Sequence, residues 1–195
     1  MTVIKHTVIR IMSGHTPLPE LALDRLLHNA KEIDIPTGYR LFSMGEKPDC
    51  IYLVIKGLLR AIYETEQGNI CSKEFYWEGD TIFSLRSILR DEPLPYSIES
   101  VENCRLVKIP LSNYLSLVKE HSQWKDYHIA QLGLHLYQKE IKEELLLVNN
   151  NQEKVVKTYE LFPDFVNRVP ARLLASYLNL TPVSLSRIKK RLNLK

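Results

Sequence analysis

Five of the seven glycines in this 195-residue chain, Gly38, Gly45, Gly57, Gly68 and Gly79, fall in one 42-residue window at spacings of 7, 12, 11 and 11. Between them lie short apolar or alternating runs at 39–42, 51–55, 58–63 and 73–77. Turn residues this closely spaced leave no room for long helices, so the runs read as strands of a compact antiparallel sandwich or barrel. Glu66-Gln67-Gly68-Asn69 reads as a hairpin tip, because Gly and Asn tolerate the positive φ that such turns need. The strand pattern continues from Tyr96 to Ile109, with Ile98, Val101, Leu106, Val107 and Ile109 as its inward side chains. Ahead of the window, Thr16-Pro17 opens a predicted amphipathic helix reaching about Ala30.

After Pro110 the period changes. A connecting helix is expected over 111–119, and a helix of more than twenty residues over 122–148. Along it Tyr127, Ala130, Leu134, Tyr137, Ile141 and Val148 follow steps of 3, 4, 3, 4 and 7. That is a heptad seam, broken where Glu144 takes a d position. Such a helix either packs on its own domain or pairs with a second copy of itself; its length and near-heptad regularity favour the second. Asn149-Asn150-Asn151 breaks it, a further helix runs to about Phe162, and Pro163 ends that one. Short helices are then expected from Pro170 to Tyr177 and from Pro182 to about Leu192. The turn between them, Leu178-Asn179-Leu180-Thr181, places Thr181 as N-cap and Pro182 at the first helical position. This is a helix-turn-helix pattern.

The formal net charge of +3 averages two unlike parts. Residues 165–195 carry seven basic residues (Arg168, Arg172, Arg187, Lys189, Lys190, Arg191 and Lys195) and no acidic one, whereas 1–164 carry 19 basic against 23 acidic, a net of −4. A basic, acid-free pair of short helices has the electrostatic footprint of a phosphate-backbone binder.

Other classes are disfavoured. Cys50, Cys71 and Cys104 have neither zinc-site nor disulfide-framework spacing, so they are expected as buried small hydrophobes in a reducing cytoplasm. The apolar runs are too short to span a membrane, and Lys5, His6 and Arg10 interrupt any secretory h-region. His121, His128 and His135 recur every seven residues, but about 10.5 Å separates successive ones on a helix, too far for one metal; they are expected to be solvated or to face the strand domain. No P-loop, GxGxxG, GxSxG or HExxH occurs, and an enzyme is not expected.

Three stretches together resemble the Crp/Fnr family of transcription regulators: Ile35-Pro36-Thr37-Gly38-Tyr39-Arg40-Leu41-Phe42 with Gly45-Glu46, then 49–57 ending in Lys56-Gly57, then 174–188 from Leu174-Ala175-Ser176 through Leu185-Ser186-Arg187-Ile188. The resemblance implies an α+β fold: an N-terminal antiparallel β-roll like a cyclic-nucleotide-binding domain, a long dimerisation helix, and a C-terminal helix-turn-helix. No clear wing is expected after the recognition helix. It divides the chain into a sensor domain at 1–120, a dimerisation helix at 121–148 and a DNA-binding domain at 149–195. The implied partners are double-stranded DNA, a second copy of the chain, RNA polymerase and a small-molecule effector, with no membrane. Arg187 matches the family's base-contacting arginine, suited to guanine O6 and N7, and Ser184 its phosphate-bonding hydroxyl. Val183, where the family often has a polar reader, suits a thymine methyl. Thr181, Ser186, Lys189, Lys190 and Arg191 complete the candidate DNA contacts.

The family's cyclic-nucleotide cassette departs here. Gly79-Asp80 stands for its Gly-Glu pair, but its Arg-Ser position falls on Leu94-Pro95, without charge or backbone donor. Arg86-Ser87 lies too early, in an expected helix at 84–89. The candidate effector pocket is therefore Gly79, Asp80, Arg86, Ser87 and Tyr96, with no cofactor expected and cAMP disfavoured. The alternative to a DNA-binding regulator is a cyclic-nucleotide-type module acting on a protein partner.

Overall fold

The computed structural model describes residues 2–13 and 17–194. Its strands are β1 (Lys31–Ile35), β2 (Arg40–Phe42), β3 (Cys50–Lys56), β4 (Leu59–Glu64), β5 (Ile70–Tyr76), β6 (Thr81–Ile82), β7 (Ser97–Ser100) and β8 (Cys104–Pro110). They form two antiparallel four-stranded sheets, ordered β1-β8-β3-β6 and β2-β7-β4-β5. The strand pattern between glycines is realised, with β1 and the two-residue β6 added to it. At the expected hairpin tip, Gly68 sits at φ 80° and the Thr65 N–H donates to the Asn69 carbonyl at 2.9 Å. Gly57 (φ 108°) closes the turn between β3 and β4 where a Cβ would lie 2.6 Å from Cys104 Sγ and 2.7 Å from the Asn103 carbonyl oxygen, so only glycine fits.

Strand β3 is buried on both faces because each face meets a different core. Cys50, Tyr52 and Val54 point between the sheets, with Leu59, Ala61, Ile98 and Leu106. Ile51 and Leu53 point outward, with Val107 and Ile109, against a helical layer. That layer comprises α1 (Thr2–Met12), the single turn α2 (Leu23–Leu26), α4 (Leu111–Glu120) and the start of the 26-residue α5 (Ser122–Leu147). The sequence periodicity places α4 and α5 within a residue or two, and α3 (Leu85–Arg90), capped by Ser84, lies where a short helix is expected.

The helix expected from Thr16 to Ala30 is a correction. Thr16 lies outside the described residues, and the rest contains only α2, entered through Ala22 in the left-handed region at φ 59°. Pro19 biases the preceding Leu18 out of the helical region, and Asn29 (φ 61°) ends the segment. The amphipathic helix here is α1 instead, burying Val8 and Met12.

Four helices finish the chain: α6 (Asn151–Leu161), α7 (Pro163–Arg168), α8 (Ala171–Tyr177) and α9 (Pro182–Arg191). Asn150 starts α6 with a full capping box, accepting from the Gln152 and Glu153 N–H groups while Glu153 reaches back. These helices share a third core with Leu58, Phe75 and Leu145, so they are packed on the sheets rather than tethered beside them.

Candidate nucleic-acid interface and effector region

The pair α8–α9 is held by Leu173, Leu174, Ala175, Leu178, Leu185 and Ile188, all buried. Asn179 takes the left-handed conformation in the turn (φ 55°), and the Leu180 N–H bonds the Ala175 carbonyl at 2.8 Å. Thr181 Oγ1 accepts the Ser184 N–H at 3.1 Å, the N-cap that the sequence predicts. With Leu185 and Ile188 facing inward, Val183, Ser186, Arg187, Lys190 and Arg191 are exposed on the outer side of α9. Two candidates are less free. The Ser184 hydroxyl lies 2.9 Å from that of Thr181 and belongs to the cap, and Lys189 is half-buried with Nζ 5.8 Å from the Tyr159 ring centre.

Arg168 leaves the basic set altogether. Its guanidinium bridges two acids of the sheet domain, Glu78 at 2.6 Å and Glu102 at 2.7 Å. Hydrogen bonds to Glu102 and Glu78 raise its already high pKa. Beside this bridge the Ser72 N–H of edge strand β5 donates to Ser176 Oγ of α8 at 2.9 Å, so the C-terminal helices cover an otherwise open sheet edge.

Helix α5 carries two apolar faces, and the expected heptad seam is divided between buried, half-buried and exposed positions. Tyr127 is turned into its own chain, its hydroxyl donating to the Met12 carbonyl at 2.9 Å beside the fully buried Trp124. Ala130, Leu134 and Ile141 are half-buried along the same side, and only Tyr137 and Val148 of the expected seam are exposed. The outward face is Ile129, Leu136, Tyr137, Leu147 and Val148, each more than half exposed. Periodicity identifies apolar stripes; it does not say which stripe the sheets take up. His128 and His135 face the sheet domain, the first 2.9 Å from the Tyr114 hydroxyl and the second with its ring centre 5.7 Å from that of Phe83 at a 50° tilt, and burial lowers both pKa values.

The five candidate effector residues do not converge. Gly79 and Asp80 form the turn into β6: Gly79 N–H bonds the Val54 carbonyl, Asp80 carbonyl receives the Val54 N–H, and an Asp80 carboxylate oxygen accepts the Trp77 N–H at 2.8 Å. Burial pushes the Asp80 pKa up to about 7. Arg86 faces outward and pairs with Glu92 at 3.4 Å, while the Ser87 hydroxyl is bonded to Ser84 and the Glu92 carbonyl. Leu94 is buried in the core between the sheets, its backbone bonded to Gly45 and Glu46. Tyr96 instead packs against Tyr63 and takes Lys73 Nζ over its ring at 4.5 Å.

That lysine opens a cluster the sequence did not single out. Glu74 Oε2 receives Lys73 Nζ at 2.8 Å and Lys139 Nζ at 2.9 Å. Burial opposes ionisation of Glu74, but the two lysines outweigh it and hold its pKa down to about 2. Lys142, one turn beyond Lys139, donates to the Lys73 carbonyl and lies 4.2 Å from the Tyr177 ring centre. Burial lowers its pKa to about 8. Strand and helix contributors are 65 or more residues apart, so no local pattern announces them.

Cys50 and Cys104 are buried as expected; Cys71 is exposed, because the outer face of edge strand β5 is uncovered at that position. Among the described residues no helix is long and apolar enough to cross a membrane.

Residues 32–121 match the family model of the cyclic nucleotide-binding domain. Over 89 residues the chain is 32% identical to lysophospholipase NTE1 of Phaeosphaeria nodorum, an overlap covering 46% of this chain and 6% of that protein. The chain spans less than a tenth of the length of the curated relatives it matches. Among solved structures, a Ruegeria pomeroyi DSS-3 protein assigned to cyclic nucleotide binding aligns at TM-score 0.67 and 26% identity, over 99% of this chain and 88% of that one. A Eubacterium rectale protein assigned to the Crp/Fnr family of transcriptional regulators aligns at TM-score 0.73 over 90% and 84% of the two chains; at 14% identity the likeness is one of fold.

Proposed function

We infer that this chain, with a cyclic nucleotide-binding domain at 32–121 and the fold of Crp/Fnr-type regulators, is a homodimeric DNA-binding transcription regulator. The observation that carries this reading is the outer face of α9. Val183, Arg187, Lys190 and Arg191 stand exposed on successive turns of a capped helix in a stretch with no acidic residue. The N-terminal half of such a helix meets base edges in the major groove, while flanking cations neutralise phosphates. On this reading 1–120 form the sensor, 121–148 the dimerisation helix and 149–195 the DNA-binding domain. The dimer forms through Ile129, Leu136, Tyr137, Leu147 and Val148, the face of α5 that its own sheets leave open.

As its signal, a cyclic nucleotide is disfavoured. A buried cyclic phosphate needs a hydrogen-bonding cation, and Leu94 at that position is 2% exposed in the roll core while Arg86 is spent on Glu92. The test is a titration of duplex DNA at several salt concentrations. Affinity is expected to fall steeply with salt, and Arg187→Ala to cost about 1–3 kcal/mol on the operator and relax one position. A second reading, a module regulating a protein partner, is favoured by the lysophospholipase match, which covers only the cyclic nucleotide-binding region. Absence of duplex binding at low salt selects it.

A further inference from the structure

Between β5, α5 and the helices α7 and α8 lies a cavity of about 140 Å³. One side is aromatic: Phe75 and Trp77 from the sheet domain meet Phe165 of α7 and Tyr177 of α8, with ring centres 4.8 to 6.1 Å apart. The other side is cationic, formed by Lys139 and Lys142 of α5 with Glu74 opposite. Lys139 and Lys73 already satisfy Glu74. Lys142 is different: its ammonium meets a carbonyl oxygen and the face of Tyr177, and among the described residues it forms no ion pair. A largely buried cation whose direct contacts are all neutral is costly, and an anion placed beside it offsets that cost.

We propose that this cavity is a binding site for a small aromatic carboxylate, with the carboxylate on Lys142 and the ring against Phe75, Trp77 and Phe165. The volume suits an aromatic ring, because a cavity of roughly 150 Å³ admits benzene. Asp80 also borders the cavity, but its carboxylate accepts the Trp77 N–H, and burial raises its pKa to about 7, which limits the repulsion it offers an anion. The walls come from the sheet domain, the long helix and the C-terminal helices at once. A ligand there therefore biases how those parts pack, and hence DNA affinity, a consequence that rests on the regulator reading above.

The experiment is calorimetric titration of the full chain with benzoate, and with benzamide as the uncharged isostere. Benzoate is expected to bind at least tenfold more tightly than benzamide. Lys142→Met should weaken benzoate at least tenfold, and Lys142→Arg should retain it. Equal binding of benzamide, displacement by equimolar inorganic phosphate, no detectable benzoate binding, or an unchanged Lys142→Met protein each overturns the site. Operator titrations with and without benzoate then separate the two readings. Benzoate that binds without moving DNA affinity overturns the coupling alone. Benzoate binding to a chain that never binds duplex DNA upholds the site and overturns the regulator reading.

Discussion

Replacing Lys142 by methionine should stabilise the free protein at neutral pH, although it removes two contacts. Burial lowers the Lys142 pKa from 10.5 to about 8, with attraction to Glu74 opposing the shift and repulsion from Lys139 and Lys73 adding to it. At about 1.4 kcal/mol per pKa unit, holding the side chain protonated at pH 7 costs the folded state at most about 3 kcal/mol. The contact with the Tyr177 ring at 4.2 Å returns about 1 kcal/mol, and the hydrogen bond to the Lys73 carbonyl about 1 kcal/mol. Methionine keeps the apolar stem and its packing, leaving a net gain of about 1 kcal/mol. The sign of the pH dependence follows from proton counts. Between pH 8 and 10.5 the unfolded chain binds more protons at this site than the folded one, so its contribution to stability rises with pH across that window. Below pH 8 the penalty is fully present. Urea unfolding followed by tryptophan fluorescence at pH 7, 8.5 and 10 measures both effects. A wild type with no Lys142-dependent rise, together with a Lys142→Met protein less stable at pH 7, would refute the reasoning.

Four further substitutions address other parts of the molecule. Gly57→Ala forces a left-handed alanine at φ 108° and a Cβ 2.6 Å from Cys104 Sγ, so it should lower stability by about 2–4 kcal/mol in denaturant titrations. Arg168→Ala leaves Glu78 and Glu102 unpaired across the seam between sheet domain and C-terminal helices. Because all three groups are partly solvated, the expected loss is about 1–2 kcal/mol, with faster proteolysis in the 149–170 region. Leu136→Glu should give a monomer by sedimentation, whereas Tyr127→Phe should stay dimeric and lose about 1 kcal/mol of stability with its bond to Met12. A dimer that survives Leu136→Glu but not Tyr127→Phe restores the original heptad seam.

The elements were legible wherever the signal is local. Gly68 marks a turn because of its own φ, Thr181 and Asn150 cap because their oxygens reach N–H groups two or three residues on, and Leu185 with Ile188 repeats one helical turn apart. The helix expected ahead of β1 failed for a local reason as well, because Pro19 biases Leu18 before it towards extended backbone. The outer face of α9 follows from that same local geometry, so spacing alone places Val183, Ser186, Arg187, Lys190 and Arg191 on it.

What composition and spacing could not settle is which surfaces meet. By itself the chain determined an antiparallel roll, a long helix and two short capped helices with a basic outer face, because backbone preference and hydrophobic period act over a few residues. Packing alone decided that Tyr127 faces inward, that Arg168 is spent on Glu78 and Glu102, that Leu94 is core, and that Lys73, Glu74, Lys139 and Lys142 share one partly buried site. These outcomes join residues 65 to 115 positions apart or set one apolar stripe against another. Charge pairing and burial act through space over a few ångströms, and only the folded chain supplies those distances.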